Sequence, residues 1–281
     1  MNRGVNLVVQ GPALSSGDLD AVALLAKPKA VQEIAPRAFR LVNSMKNEGI
    51  AALCEARRID HAWVPEGRRF ADLKLLAMDM DSTLITIECI DELGVLAGRG
   101  AEIAAITEQA MRGEIADYKE SLRRRVALLA GQPEASLEQV YRNKLQLTPG
   151  AEALIKTCKD HDVKLLLVSG GFTFFTGRLK ERLGLDYTIS NVLEVKDGKL
   201  TGKLLGDIVD ADAKASKFRQ VMKELHADKQ NTVAIGDGAN DLKMMAEAGV
   251  SIAFHAKPVV RAQASCALTW CGLDAVPNLF E

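Results

Sequence analysis

From residue 71 onward, short aliphatic runs alternate with longer stretches in which apolar residues recur every three or four positions. The clearest runs are 73–78, 163–168, 232–235 and 250–253. Runs of that length between helical patterns predict parallel strands joined by helices, an α/β fold with a doubly wound sheet. Leu165, Leu166, Leu167 and Val168 lack polar alternation, as expected of a strand covered on both faces.

One connection is too long for a simple crossover. About 80 residues separate the first of these runs from the second, where a whole βαβ unit needs only ~30. The stretch 88–147 has no strand pattern but shows helical spacing at Ile103, Ile106 and Ala110 and at Leu122, Val126 and Leu129. It predicts a helical cap inserted after the first core strand, placed as a lid. Residues 192–203 read as a hairpin turning on Asp197-Gly198. The first 70 residues differ in texture: strands are expected at 6–10 and 61–64 and helices at 18–25 and 45–58. These make a small N-terminal α/β module, linked by Pro65-Glu66-Gly67 to a core of residues 71–281.

Composition narrows the function classes. The 281 residues are 48% hydrophobic, and 36 basic side chains nearly cancel 37 acidic ones. That balance gives no sign of a nucleic-acid or membrane-surface partner, which would leave a basic excess. The five cysteines include no C-x-x-C pair and read as reduced thiols, and the four histidines have no zinc-ligand spacing. The apolar stretch 5–14 is too short for a signal sequence or a membrane span. A cytoplasmic location is expected; a homodimer is neither required nor excluded by the residues.

The chemistry concentrates where the strands end. Asp79-Met80-Asp81-Ser82-Thr83 closes the first run with two carboxylates, and ligands of open α/β sheets bind beyond the carboxyl ends of the strands. An acidic turn capping the next helix fits those residues equally well. Ser169-Gly170-Gly171 follows the second run; it suits either a plain tight turn or an anion approached by backbone N–H groups. Gly236-Asp237-Gly238-Ala239-Asn240-Asp241 ends the third run with three oxygen-bearing side chains within five positions, a set suited to a hard cation such as Mg²⁺. Asp79, Asp81, Asp237 and Asp241 would together carry −4, and a phosphate monoester adds about −2. Such crowding requires a divalent cation and is eased by a lysine, for which Lys214 is the candidate. No G-x-S-x-G or P-loop pattern occurs. A carboxylate nucleophile working with a metal remains.

Asp79-Met80-Asp81-Ser82-Thr83-Leu84, Ser169-Gly170-Gly171, Lys214 and Gly236 to Asp241, in this order, resemble the four motifs of the haloacid-dehalogenase superfamily of phosphatases. Longer segments resemble the branch that dephosphorylates phosphoserine: Glu88 with Ile90-Asp91-Glu92, Ser121 to Val126, Val168 to Phe172, Val195 to Gly202 and Ile252 to Pro258. The resemblance implies a Rossmann-like core with a helical cap, and release of L-serine and phosphate through an aspartyl-phosphate. It implies Asp79 as nucleophile and Asp81 as acid and base. It assigns Mg²⁺ to the Asp79 carboxylate, the Asp81 main-chain carbonyl and Asp237, with Asp241 in support. Ser169, Gly170, Lys214 and Asn240 would bind phosphate, Glu88 the substrate ammonium and Arg125 its carboxylate. Met111 and Tyr118 resemble the apolar lining of the cap; Tyr118 stands where phenylalanine is frequent, so its hydroxyl is expected to face water. Another small phosphomonoester, or phosphoryl transfer to an alcohol, keeps the same chemistry. An amino-acid-binding regulator is the rival from a different class. The N-terminal residues look too short and irregular for a full regulatory module of the kind some relatives carry.

Overall fold

The structure, a computed structural model, describes residues 5–112 and 114–281, without the side chain of Met111, so the expectation for that side chain lies outside the described residues. In chain order the elements are β1 (Val5–Gln10), α1 (Ser16–Ala26), β2 (Ala30–Ala35), β3 (Ala38–Val42), α2 (Gly49–Arg57) and β4 (Asp60–Pro65). Next come β5 (Leu75–Met78), α3 (Cys89–Leu96), α4 (Gly100–Met111), α5 (Tyr118–Ala127), α6 (Ala135–Asn143), α7 (Ala151–Asp160) and β6 (Lys164–Phe172). The chain continues through α8 (Thr173–Leu183), β7 (Tyr187–Lys196), β8 (Lys199–Leu205), α9 (Ala211–Glu224), β9 (Thr232–Gly236), α10 (Leu242–Glu247), β10 (Val250–Phe254), α11 (Pro258–Arg261) and β11 (Cys266–Leu268). The strands form a four-stranded sheet of order β2-β3-β1-β4 and a seven-stranded sheet of order β11-β10-β9-β5-β6-β7-β8. Pairs β9/β10, β10/β11 and β6/β7 are parallel, and β7/β8 is antiparallel.

Contacts divide the chain into two compact units. One contains the N-terminal residues to Leu76 together with 149–164 and 222–281; the other contains 77–148 and 165–221.

In the first unit, the four-stranded sheet completes a βαββαβ module, more regular than the sequence led us to expect. Strands β2 and β3 were not anticipated. Strand β2 is an edge strand with four exposed residues in succession, so it has no buried face to imprint a period of two. Helix α1 opens with Ser15 and Asp18 capping each other reciprocally. Leu7, Val9, Val22, Leu41, Ile50 and Cys54 fill a core beneath the two helices.

The opposite face of β1, β3 and β4 carries buried polar groups that are satisfied by the C-terminal segment. Gln10 donates to the Ala275 carbonyl at 3.2 Å and accepts from Asn278 at 2.8 Å. Arg40 donates to the carbonyls of Asn278 and Phe280. The buried Asp60 carboxylate accepts three consecutive backbone N–H groups, from Thr269 at 2.7 Å, Trp270 at 3.0 Å and Cys271 at 2.8 Å. Desolvated polar groups of this kind are costly to leave unmatched; of these side chains only the Arg40 Nε is without a hydrogen-bond partner.

In the second unit, α3 to α6 occupy the long connection between β5 and β6, where helical spacing predicted helices. The β7/β8 hairpin closes on the pair Lys196 and Lys199. Its turn residues Asp197 and Gly198 have φ of 52° and 71°, the left-handed pair that a two-residue hairpin turn requires. Main-chain bonds between Gly131 and Leu200 and between Leu200 and Gln132, both 2.8 Å, fasten the end of the α5 region to β8. Strand β6 runs on through Ser169-Gly170-Gly171 to Phe172, where a turn was expected, and its register with β7 shifts between Val168 and Phe172.

Candidate active site

The segment after β5 is a wide turn rather than a regular helix. The Leu84 N–H reaches the Asp79 carbonyl at 3.3 Å and the Ile85 N–H that of Met80 at 3.0 Å. Ser82 sits inside it at a φ of 54°, a left-handed conformation uncommon for a residue with a side chain. That conformation sends the Ser82 hydroxyl to Glu88, with Oγ donating to Oε1 at 2.7 Å.

Asp79 is buried at the end of β5. Its Oδ1 accepts the Met80 N–H at 2.8 Å and the Lys214 ammonium at 2.9 Å. Two donors on one oxygen fix the plane of the carboxylate. Lys214, in the first turn of α9, is fully buried, not at the surface where an isolated lysine is usually found. It shares the buried face of α9 with Phe218 and Val221. That 214, 218, 221 spacing was the available sign that this lysine points inward.

Asp81 is half-buried, and its Oδ1 accepts the Cys89 N–H at 2.9 Å. Burial, and then the neighbouring Glu88 carboxylate, push the Asp81 carboxyl up to about 7, against the Cys89 hydrogen bonds and the Lys214 charge. A carboxyl poised there can both give and take a proton near neutrality. Burial and the Asp81 charge raise the Cys89 thiol well above its ordinary value. Cys89 therefore serves as a donor to Asp81 rather than as a nucleophile.

Ser169 is fully buried, and its Oγ accepts the Gly171 N–H at 2.8 Å. Asn191 donates to the Gly170 carbonyl at 2.7 Å and accepts the Val209 N–H at 2.8 Å, holding the end of β6 to its neighbours. Two glycines are required here for space. A Cβ on Gly171 would lie 2.8 Å from Asp81 Oδ2, and one on Gly170 would collide with the Tyr118 hydroxyl oxygen. The Tyr118 hydroxyl is thus directed at the 169–171 segment of β6, against which α5 packs its first residue.

Glu88 stands at the N-cap position of α3 without making a capping bond; its carboxylate is held by Ser82 instead. Arg125 is half-buried on α5 and donates through Nε to the Ser121 carbonyl at 3.4 Å. Its positive charge is felt at Asp91 and at Tyr118.

In the other unit, Asp237 follows β9 directly, and Asp241 is fully buried, accepting the Gly238 N–H at 3.2 Å. Asn240 is half-buried with its side-chain oxygen turned over Gly238. The carboxylate oxygens of Asp237 and Asp241 lie within 4.8 Å of each other, a pair of anionic donors that suits a hard cation.

Apart from Met111, whose side chain lies outside the described residues, every residue proposed from the sequence is therefore located. Sequence reasoning missed Ser82 as the holder of Glu88, Cys89 as a donor to Asp81 and Asn191 as the brace of the end of β6. None belongs to a charge cluster that would single it out.

Comparison with known proteins gives the following. Residues 76–246 match the family model for haloacid dehalogenase-like hydrolases, and residues 7–49 match a domain of unknown function, DUF4072. The chain is 56% identical over 217 residues to a phosphoserine phosphatase of Polaromonas sp., covering 76% of this chain and 92% of that protein. The fold is similar to a crystal structure of a probable phosphoserine phosphatase from Vibrio cholerae in unliganded form. The TM-score is 0.86 at 38% identity, over 99% of this chain and 86% of that one. It is also similar to a phospho-aspartyl intermediate analogue of phosphoserine phosphatase, with a TM-score of 0.70 at 39% identity, over 74% of this chain and 99% of that one.

Proposed function

We propose, from the premise that the chain belongs to the haloacid dehalogenase-like hydrolases, that it converts O-phospho-L-serine to L-serine and phosphate, the last step of serine biosynthesis. The observation that carries this reading is the arrangement on one loop of Asp79, paired with Lys214, two residues before Asp81, whose carboxyl is raised to about 7. It supplies an ionised nucleophile beside a group able to hold a proton.

A carboxylate oxygen of Asp79 forms a bond to phosphorus as the bond from phosphorus to the serine oxygen breaks. Asp81 gives its proton to that departing oxygen. Water then attacks the aspartyl-phosphate, Asp81 takes the proton of the water, and phosphate leaves with Asp79 restored. Gly170 N–H, Ser169, Lys214 and Asn240 bind phosphoryl oxygens, where fixed donors favour the spread of charge in the transition state. Glu88 recognises the substrate ammonium, and Arg125 pairs with its carboxylate. Asp79, the Asp81 main-chain carbonyl and Asp237 would hold Mg²⁺, with Asp241 in support; the cation would neutralise charge on the transferring phosphoryl group. The nucleophile and acid-base loop thus performs the reaction, and α3 and α5 select the substrate.

Among the described residues no helix is long and apolar enough to cross a membrane, and the five cysteines are free. Both observations support our assignment to the cytoplasm. Sedimentation of the purified protein would test whether it forms a homodimer.

Phosphate release from phosphoserine, compared with a panel of phosphosugars in the presence of Mg²⁺, tests the assignment. A clear preference for phosphoserine is expected, and comparable or better release from a phosphosugar would overturn it. Asp79→Asn should abolish turnover while the protein still folds; retained turnover would refute the covalent route.

A further inference from the structure

Tyr118 is the first residue of α5, and two contacts fix it there. The Asp117 side chain caps the helix by accepting the Lys119 N–H at 2.9 Å. Lys119 pairs at 3.0 Å with Asp210, whose carbonyl accepts the Lys214 N–H. The start of α5 is therefore tied to the turn that presents the phosphate-side lysine.

The Tyr118 ring lies so close to Gly170 that a Cβ there would meet the hydroxyl oxygen, while Cζ would remain 3.5 Å away. Only the oxygen is in close approach. The phenol lies in the combined field of Lys214, Arg125, Asp79 and Asp81, and burial, ahead of those charges, raises its ionisation above the ordinary tyrosine value. Burial thus favours its neutral, donor form. A phenol lining an apolar wall would gain nothing from directing its oxygen at Gly170.

Arg125 lies seven residues further along α5, two helical turns or about 10.5 Å, and so on the same face. One face of one helix thus offers a hydroxyl at the 169–171 segment and a guanidinium further along.

We propose that the Tyr118 hydroxyl donates a hydrogen bond to a phosphoryl oxygen of the bound monoester, beside the Gly170 N–H and Lys214. This rests on the phosphomonoester reading above and adds to it. Helix α5 then reads both ends of phosphoserine, phosphate through Tyr118 and carboxylate through Arg125. The inserted helices consequently contribute to phosphate affinity and not to amino-acid selection alone.

The test compares the full-length protein with Tyr118→Phe, which keeps the ring and removes the donor. KM for phosphoserine, the inhibition constant of inorganic phosphate and that of L-serine are measured for both. About tenfold increases in KM and in the phosphate constant are expected, with the serine constant unchanged within about twofold. A phosphate constant that does not move would overturn the proposal, as would phosphate and serine constants that rise together, which would mean a loosened helix. Calorimetric binding of inorganic phosphate to both proteins decides the question even if phosphoserine proves to be the wrong monoester, so failure of the functional reading and failure of this inference are separable.

Discussion

Lys214 Nζ lies 2.9 Å from Asp79 Oδ1, with about 1% and 7% of the two side chains exposed. A buried ammonium and carboxylate at this distance neutralise each other, and the lysine also orients the nucleophile. Lys214→Met should destabilise the metal-free protein by about 3–5 kcal/mol, the usual consequence of removing one partner of a buried pair. Thermal melting should show the larger drop in Lys214→Met than in Asp79→Asn, and Mg²⁺ should recover part of it. Equal melting temperatures for the three proteins would contradict this role.

Arg125 should act on substrate choice more than on chemistry. Arg125→Ala is expected to reduce kcat/KM for phosphoserine by ~2–5 kcal/mol of binding, while sparing a phosphoester that lacks a carboxylate. Equal losses on both substrates would assign the arginine a purely structural role.

Asp81 makes stability depend on pH in a defined direction. Its folded-state value of about 7 is above the ordinary 3.8, so between those values the folded protein binds the extra proton. Stability from this residue is present at low pH and declines as pH rises from about 4 to about 7. Asp81→Asn removes the dependence. Discounted by about half for partial exposure and for coupling to Glu88, the effect is ~2 kcal/mol. Melting of metal-free Asp81→Asn and parent proteins at pH 5 and pH 8 checks it. The variant should gain on the parent at the higher pH, and a gain confined to pH 5 would reverse the sign we assign.

Gly170 and Tyr118 should be coupled. Gly170 is not in the left-handed region, so alanine can adopt its backbone conformation, and the added methyl would collide chiefly with the Tyr118 hydroxyl oxygen. Gly170→Ala is expected to lower kcat/KM well beyond the loss in Tyr118→Phe, by about a hundredfold, and combining the two should bring the enzyme back to about the level of Tyr118→Phe alone. A double variant as impaired as Gly170→Ala would show that the methyl obstructs something else.

Much of this was legible in the chain because the core strands are long apolar runs that stop at charged residues. Asp79, Ser169 and Asp237 could be placed at strand ends from that pattern alone, although the β6 strand continues through the glycines instead of stopping at Val168. What escaped was set by tertiary contacts. Strand β2 buries almost nothing and so carries no alternation. The Tyr118 hydroxyl finds its direction only when α5 meets the 169–171 segment. Ser82 and Asn191 act by holding Glu88 and Gly170, roles that leave no trace in residue type.

Asp60 receives three successive backbone N–H groups from Thr269, Trp270 and Cys271, while Arg40 and Gln10 bind carbonyls of the same C-terminal segment. For protein engineering this makes residues 5–65 a poor candidate for deletion. A shortened chain would expose the three amides and the sheet face that covers them, and diminished activity would reflect a damaged scaffold. The contribution of the module to control is better sought with substitutions on its exposed surfaces, such as the β2 edge, which leave the Asp60 anchor in place.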